Sequence, residues 1–174
     1  VASTMDISWT GSDSVSGISK YEYALGTTSG GTQVKIWTDA ATVTSVSLSD
    51  LSLSDGSKYY ASVKATDKAD NVSTVKIGDG ITIDLTAPTT GTISDGTVAD
   101  ISFTASSNSL SAKWTGFSDA NSGIANYEYA IGTTTGGTDT KNWTSNGIDT
   151  TVTVTSLALT SGQVYYISVR ATDL

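Results

Sequence analysis

The chain spells one string twice. Residues 21–32 read YEYALGTTSGGT and residues 127–138 read YEYAIGTTTGGT, and over 21–38 against 127–144 the match is 13 of 18 positions. The register runs on. Trp37 returns as Trp143, Leu51 and Leu53 as Leu157 and Leu159, Gly56 as Gly162, and Tyr59-Tyr60 as Tyr165-Tyr166. SVKATD at 62–67 returns as SVRATD at 168–173. The spacing is 106 throughout, except that Trp9 and Trp114 stand 105 apart because the second copy has one extra residue near Phe117. A period of that length is one small domain per copy, so two modules are predicted, 1–86 and 87–174. The repeat is out of phase with the chain. The stretch 87–109 has no counterpart before the first copy, and the stretch 68–84 has none after the second.

Alternation makes these modules all-β. In VYYISVRA, Tyr165, Ile167, Val169 and Ala171 share one face while Tyr166, Ser168 and Arg170 share the other, the pattern of a half-buried strand. YEYAI at 127–131 alternates likewise, and Gly-Gly and Asp-Gly pairs mark the connections. Ser and Thr supply about a third of the chain, and Thr favours strands.

The residues resemble the fibronectin type III module. Its mark is a Leu, a tight Gly turn, a Tyr six residues after the Leu, then alternating apolar residues ending in Ala. Leu53, Gly56, Tyr59, Val63 and Ala65 carry that mark, and Leu159, Gly162, Tyr165, Val169 and Ala171 carry it again. Trp9 and Trp114 look like the family's buried Trp, and Ile18/Tyr21 and Ile124/Tyr127 like its entry to the third strand. The usual Pro of the Leu–Gly turn is replaced by Asp55 and Ser161. The resemblance implies two tandem seven-stranded β-sandwiches, strands A, B and E against C, C′, F and G. The first would lack strand A and the second strand G. Pro88, the single Pro, would mark the junction and help start strand A at a sheet edge. The phrases YEYAIGTT and YYISVRATD also resemble the variant found in tandem in large bacterial surface proteins.

Composition narrows the function. The net charge is −8 with nine Lys and Arg, and no basic patch is present to attract nucleic acid or an anionic membrane. His and Cys are both absent, which excludes disulfides, thiolate nucleophiles, Cys/His zinc sites and His-based triads. Neither a targeting signal nor a membrane-spanning stretch is read within these residues. The expectation is therefore a non-enzyme: a structural or adhesive repeat in a bacterial or archaeal extracellular surface protein. Its partners would be neighbouring repeats or copies of itself, and surface glycans or proteins. Two rivals are a self-assembling filament subunit that exchanges strands between chains, and a carbohydrate-binding accessory module.

Two residue sets are the candidate sites. Calcium, the one cofactor these residues could hold, takes several oxygen ligands. On the implied fold Asp84 would meet Asp119, Asn121 and Asp173, with Asp55 approaching from the first module, while Asp13 would pair with Asp67 near Asp70 and Asn71. The plainer reading makes each a turn residue whose carboxylate bonds its own backbone. For sugar stacking, Trp37 with Tyr60 and Trp143 with Tyr166 would share an outward face, the rings draped over Ala24 and Ala130. Sequons stand at Asn71 and Asn142.

Overall fold

A computed structural model describes residues 3–174. The chain divides into two compact units, Val1–Leu85 and Thr86–Leu174. The described residues form strands and no helix.

In the first unit β1 (Met5–Ser8) pairs antiparallel with β4 (Ser45–Leu48). The facing sheet runs β3 (Lys35–Asp39), β2 (Ile18–Gly26), β5 (Lys58–Asp67) and β6 (Lys76–Ile77), and β7 (Ile81–Thr82) also pairs with β5. In the implied nomenclature these are strands B and E against C′, C, F and a G strand in two pieces. The core between the sheets comes from alternation. Tyr21, Tyr23 and Leu25 of β2 point inward against Ile7, Leu48, Leu53 and Tyr59. Trp9 meets Tyr21 edge-on, centroids 5.8 Å apart.

The second unit repeats the plan with different edges. β8 (Thr92–Asp95) pairs with β9 (Leu110–Thr115), and β9 with β12 (Thr151–Val154). Opposite lie β11 (Lys141–Gly147), β10 (Ile124–Gly132) and β13 (Tyr166–Asp173). These are strands A, B and E against C′, C and F. Just after Pro88, Thr89 donates its N–H to the Ser118 carbonyl at 2.8 Å, so the A segment is attached before β8 begins.

The differing edges alter two residues that the sequence places in the core. Trp114 is 1% exposed under β8, whereas Trp9 is only half-buried, and among the described residues no strand lies beside β1 on the side away from β4. Tyr59 is 4% exposed under β7, whereas Tyr165 is half-buried. An edge strand found in one unit, with no counterpart among the described residues of the other, is the physical reason.

The turn before β5 and β13 is fixed by the same device twice. Gly56 and Gly162 take left-handed φ of 68° and 81°, where a side chain is disfavoured. The Tyr six residues after the Leu folds back, and its hydroxyl accepts the Ser54 N–H in one unit and the Thr160 N–H in the other, both at 2.9 Å. The first bond is partly buried and the second exposed. Tyr59→Phe strands a shielded donor and is expected to cost roughly 1–2 kcal/mol. Tyr165→Phe leaves its donor to water and should cost less than about 1 kcal/mol. Urea unfolding of both variants checks the order.

Candidate functional site

The loop carboxylates are turn builders by geometry. Asp13 lies between β1 and β2, and its Oδ1 accepts the N–H groups of Val15, Ser16 and Gly17 at 3.0, 2.7 and 2.9 Å. These bonds, that from Gly17 first, hold its carboxyl below the usual carboxylate range. Asp67 ends β5, where it pairs with Ile18. Its carboxylate accepts the Asn71 side-chain amide and the backbone N–H groups of Asn71 and Ala69 at 2.8–2.9 Å, which also lowers its pKa, the Asn71 amide foremost. Ser16 bonds Asp13 and contributes to holding Asp67 down, so the structure brings this pair to one end of the unit. Asp70, with a positive φ of 65°, is the turn residue between Asp67 and Asn71.

The second unit copies the arrangement. Asp119 Oδ1 accepts the N–H groups of Asn121, Ser122 and Gly123 at 2.9, 2.9 and 3.2 Å. Asp173 ends β13 opposite Ile124, the residue after that loop. Asp84 and Asp55 belong to the first unit, where Asp55 Oδ1 accepts the Leu85 N–H at 2.7 Å. Each unit by itself thus brings one pair of carboxylates together at its β1–β2 or β9–β10 loop, with one oxygen already engaged by backbone amides. Calcium takes six to eight oxygens, so such a pair needs carbonyls, water or ligands from outside the unit.

The aromatic set forms a capped patch. Ala24 and Ala130 are fully buried although they alternate with the inward tyrosines, so this outward face is covered. Trp37 carries Lys64 Nζ 4.7 Å from its ring centre, and Trp143 carries Arg170 Cζ at 4.4 Å. Each cation also reaches a carboxylate, Lys64 to Glu22 at 3.5 Å and Arg170 to Glu128 at 2.8 Å. Tyr60 is half-buried with Lys58 over its ring at 5.6 Å, whereas Tyr166 is 41% exposed. The sequence located both tryptophans, but not the Lys/Arg–Glu cap at the same spacing in each copy.

Two grooves open beside the sheets. One, of about 700 Å³, is bounded in the first unit by Ile7, Trp9, Tyr21, Val63 and Ala65. The other, of about 950 Å³, is bounded in the second by Ile101, Leu110, Leu159, Tyr165 and Ile167. At the second groove, burial and then the charge of Asp100 push the Asp95 carboxyl up. That pair escaped sequence reading because DGTVAD reads as an ordinary turn. Of the sequons, Asn142 is exposed on β11, and Asn71 uses its side-chain nitrogen on Asp67.

No protein-family model and no curated protein matches this chain. Among solved structures, the FN1–FN3 domains of chicken CNTN1 match over 98% of this chain and 55% of that chain, with a TM-score of 0.50 and 16% identity. This chain therefore spans about half the length of that one. The likeness shows the fold: an all-β protein of fibronectin type III-like, immunoglobulin-like β-sandwich architecture. No helix among the described residues is long and apolar enough to cross a membrane.

The lowered Asp13 pKa fixes a pH dependence. A carboxyl whose folded pKa lies below its unfolded one stabilises the fold above the unfolded value, and that contribution fades as pH falls through the folded value. Asp13→Ala should be less stable than the parent at neutral pH, with the gap closing as pH falls below the usual carboxylate range. Asp13→Asn retains an acceptor oxygen and should lose less. Thermal melts across pH check both.

Proposed function

We propose that this chain is a structural or adhesive repeat of a microbial extracellular surface protein, serving as spacer, stalk or fibre. The observation that carries this reading is duplication of the scaffold rather than of a reactive centre. What recurs from one copy to the next is the Trp–Tyr core contact, the Tyr-capped Gly turn, the carboxylate-built loop and the capped outer Trp. Each of these holds strands or loops in place. A chain without His or Cys, whose recurring Asp residues bond backbone amides, fits a load-bearing module better than an enzyme. Fibronectin type III-like domains are typically extracellular, in keeping with this setting.

A second reading is a filament subunit with strand complementation between chains, since among the described residues β1 pairs only with β4 and β13 only with β10. The carbohydrate-binding reading has less support, because the cations over Trp37 and Trp143 occupy the ring faces a sugar would stack on.

Pulling the chain from its two ends in a force spectrometer tests the spacer reading. Two separate unfolding events are expected, the 85 residues of Val1–Leu85 releasing roughly 300 Å of chain at about 3.5 Å per residue. A single featureless extension at low force contradicts it. Growth of the molar mass with concentration, seen by light scattering, would shift the assignment to the filament subunit.

A further inference from the structure

The two copies differ at one exposed position of strand C′. β3 begins KIWT and β11 begins KNWT, so Ile36 of the first unit becomes Asn142 in the second, and Asn142, Trp143 and Thr144 form a sequon. The backbone around the two positions is the same. Lys35 faces Leu25 and Thr38 faces Tyr23, as Lys141 faces Ile131 and Thr144 faces Tyr129. Two residues of the C′ strand therefore stand opposite one alanine, Ala24 or Ala130, in a β-bulge on the outermost strand of the sheet. A bulge breaks the alternation and re-aims a side chain. Here Trp37 or Trp143 takes the outer face against Lys64 or Arg170, and the residue before it is left in solvent. Ile36 is 72% exposed, and Asn142 is exposed likewise.

The bulge leaves Asn142 free to react. Its carboxamide has no hydrogen-bond partner among the described residues. The Thr144 hydroxyl donates to the Asn142 carbonyl at 2.9 Å, a bond within the sequon that can be released without unlocking another element. The sequon at Asn71 is built differently. Asn71 Nδ2 donates to the Asp67 carboxylate at 2.9 Å, and the Ser73 hydroxyl accepts the Ala65 N–H at 2.9 Å. Both ends of that sequon hold the loop after β5.

We propose that Asn142 is an N-glycosylation acceptor, so that the second copy alone carries a sugar chain on its C′ edge. The proposal rests on the extracellular setting argued above. The donor is an oligosaccharide joined through its anomeric carbon to a polyprenyl diphosphate. Asn142 Nδ2 forms a bond to that carbon. The bond from the carbon to the diphosphate oxygen breaks, and its electron pair leaves with the diphosphate. One amide proton passes to a base of the transferase, and Nδ2 keeps its other hydrogen. A bulky, hydrated group at this bulge bars a further strand from the outer side of β11. The first copy has only the bare Ile36 there.

The test uses the full folded chain, an oligosaccharyltransferase that reads Asn-X-Ser/Thr, and its lipid-linked oligosaccharide, with the sites mapped by peptide mass spectrometry. One glycan at Asn142 is expected. Transfer to Asn71 should be roughly tenfold slower or worse, because its Nδ2 must first leave a charged partner. The glycosylated chain should melt at the temperature of the parent. Asn142→Gln and Asn142→Ile, the latter restoring the residue of the first copy, should remove the main product and also melt like the parent. An unmodified Asn142 in the folded chain, while a synthetic peptide of residues 139–147 is glycosylated in the same reaction, overturns the proposal. So does equal or faster transfer to Asn71, or a glycosylated chain that has lost its fold. This reaction needs no cell, so it judges the acceptor alone. Antibody labelling of intact source cells judges the setting, and unlabelled cells would contradict the extracellular reading while leaving the acceptor standing.

Discussion

Everything in either unit depends on one aromatic contact across the sandwich. A Trp that follows strand B, or stands in it, meets the first inward Tyr of strand C edge-on, at 5.8 Å and 61° in the first unit and 5.7 Å and 62° in the second. Such a contact adds to the burial of two large rings and fixes their angle. It ties one sheet to the other at the end where the carboxylate-built loops join them. Once that Tyr is seated, alternation carries the next Tyr and then Leu25 or Ile131 into the core and leaves Glu22 or Glu128 outside.

From that contact the two units diverge at their rims and in the rings beside it: Trp9 also stacks on Tyr23 at 6.2 Å in the first, and Phe117 meets Tyr127 at 5.7 Å in the second. The first has strand G in two short pieces. The second has strand A, and among the described residues β1 and β13 each keep one side without a strand. Because the remaining strands correspond, each unit serves as the other's control. Strand A separates a fully buried Trp114 from a half-buried Trp9, and strand G separates a buried Tyr59 from a half-buried Tyr165. An edge strand therefore does more than complete a ladder here. It also seals the core at its margin.

Much of this was legible in the sequence because the duplication supplied its own alignment. The strands, the Gly turn and the Tyr after it follow from period-2 alternation and from one motif written twice. The burial of Trp9 and Tyr165 was not, because local pattern assigns a face but not the strand that covers it. The Lys64 and Arg170 caps were missed since cross-strand register, which sets them beside a Trp, depends on a bulge between Tyr23 and Leu25 and between Tyr129 and Ile131. For the loop carboxylates, sequence supplied both a cation reading and a turn reading. The backbone amides converging on Asp13, Asp67 and Asp119 come from loop geometry that residue types alone do not specify.

At the centre of the account, β5 is paired on both sides, whereas β13 pairs only with β10 among the described residues. Amide hydrogen exchange of the chain by itself tests it most directly. The account expects Val63 and Ala65, which face the strand-G segment, to be protected, and their copies Val169 and Ala171 to exchange far faster, while amides bonded to β2 and β10 are protected alike. Equal protection of the two strands on both sides would contradict it.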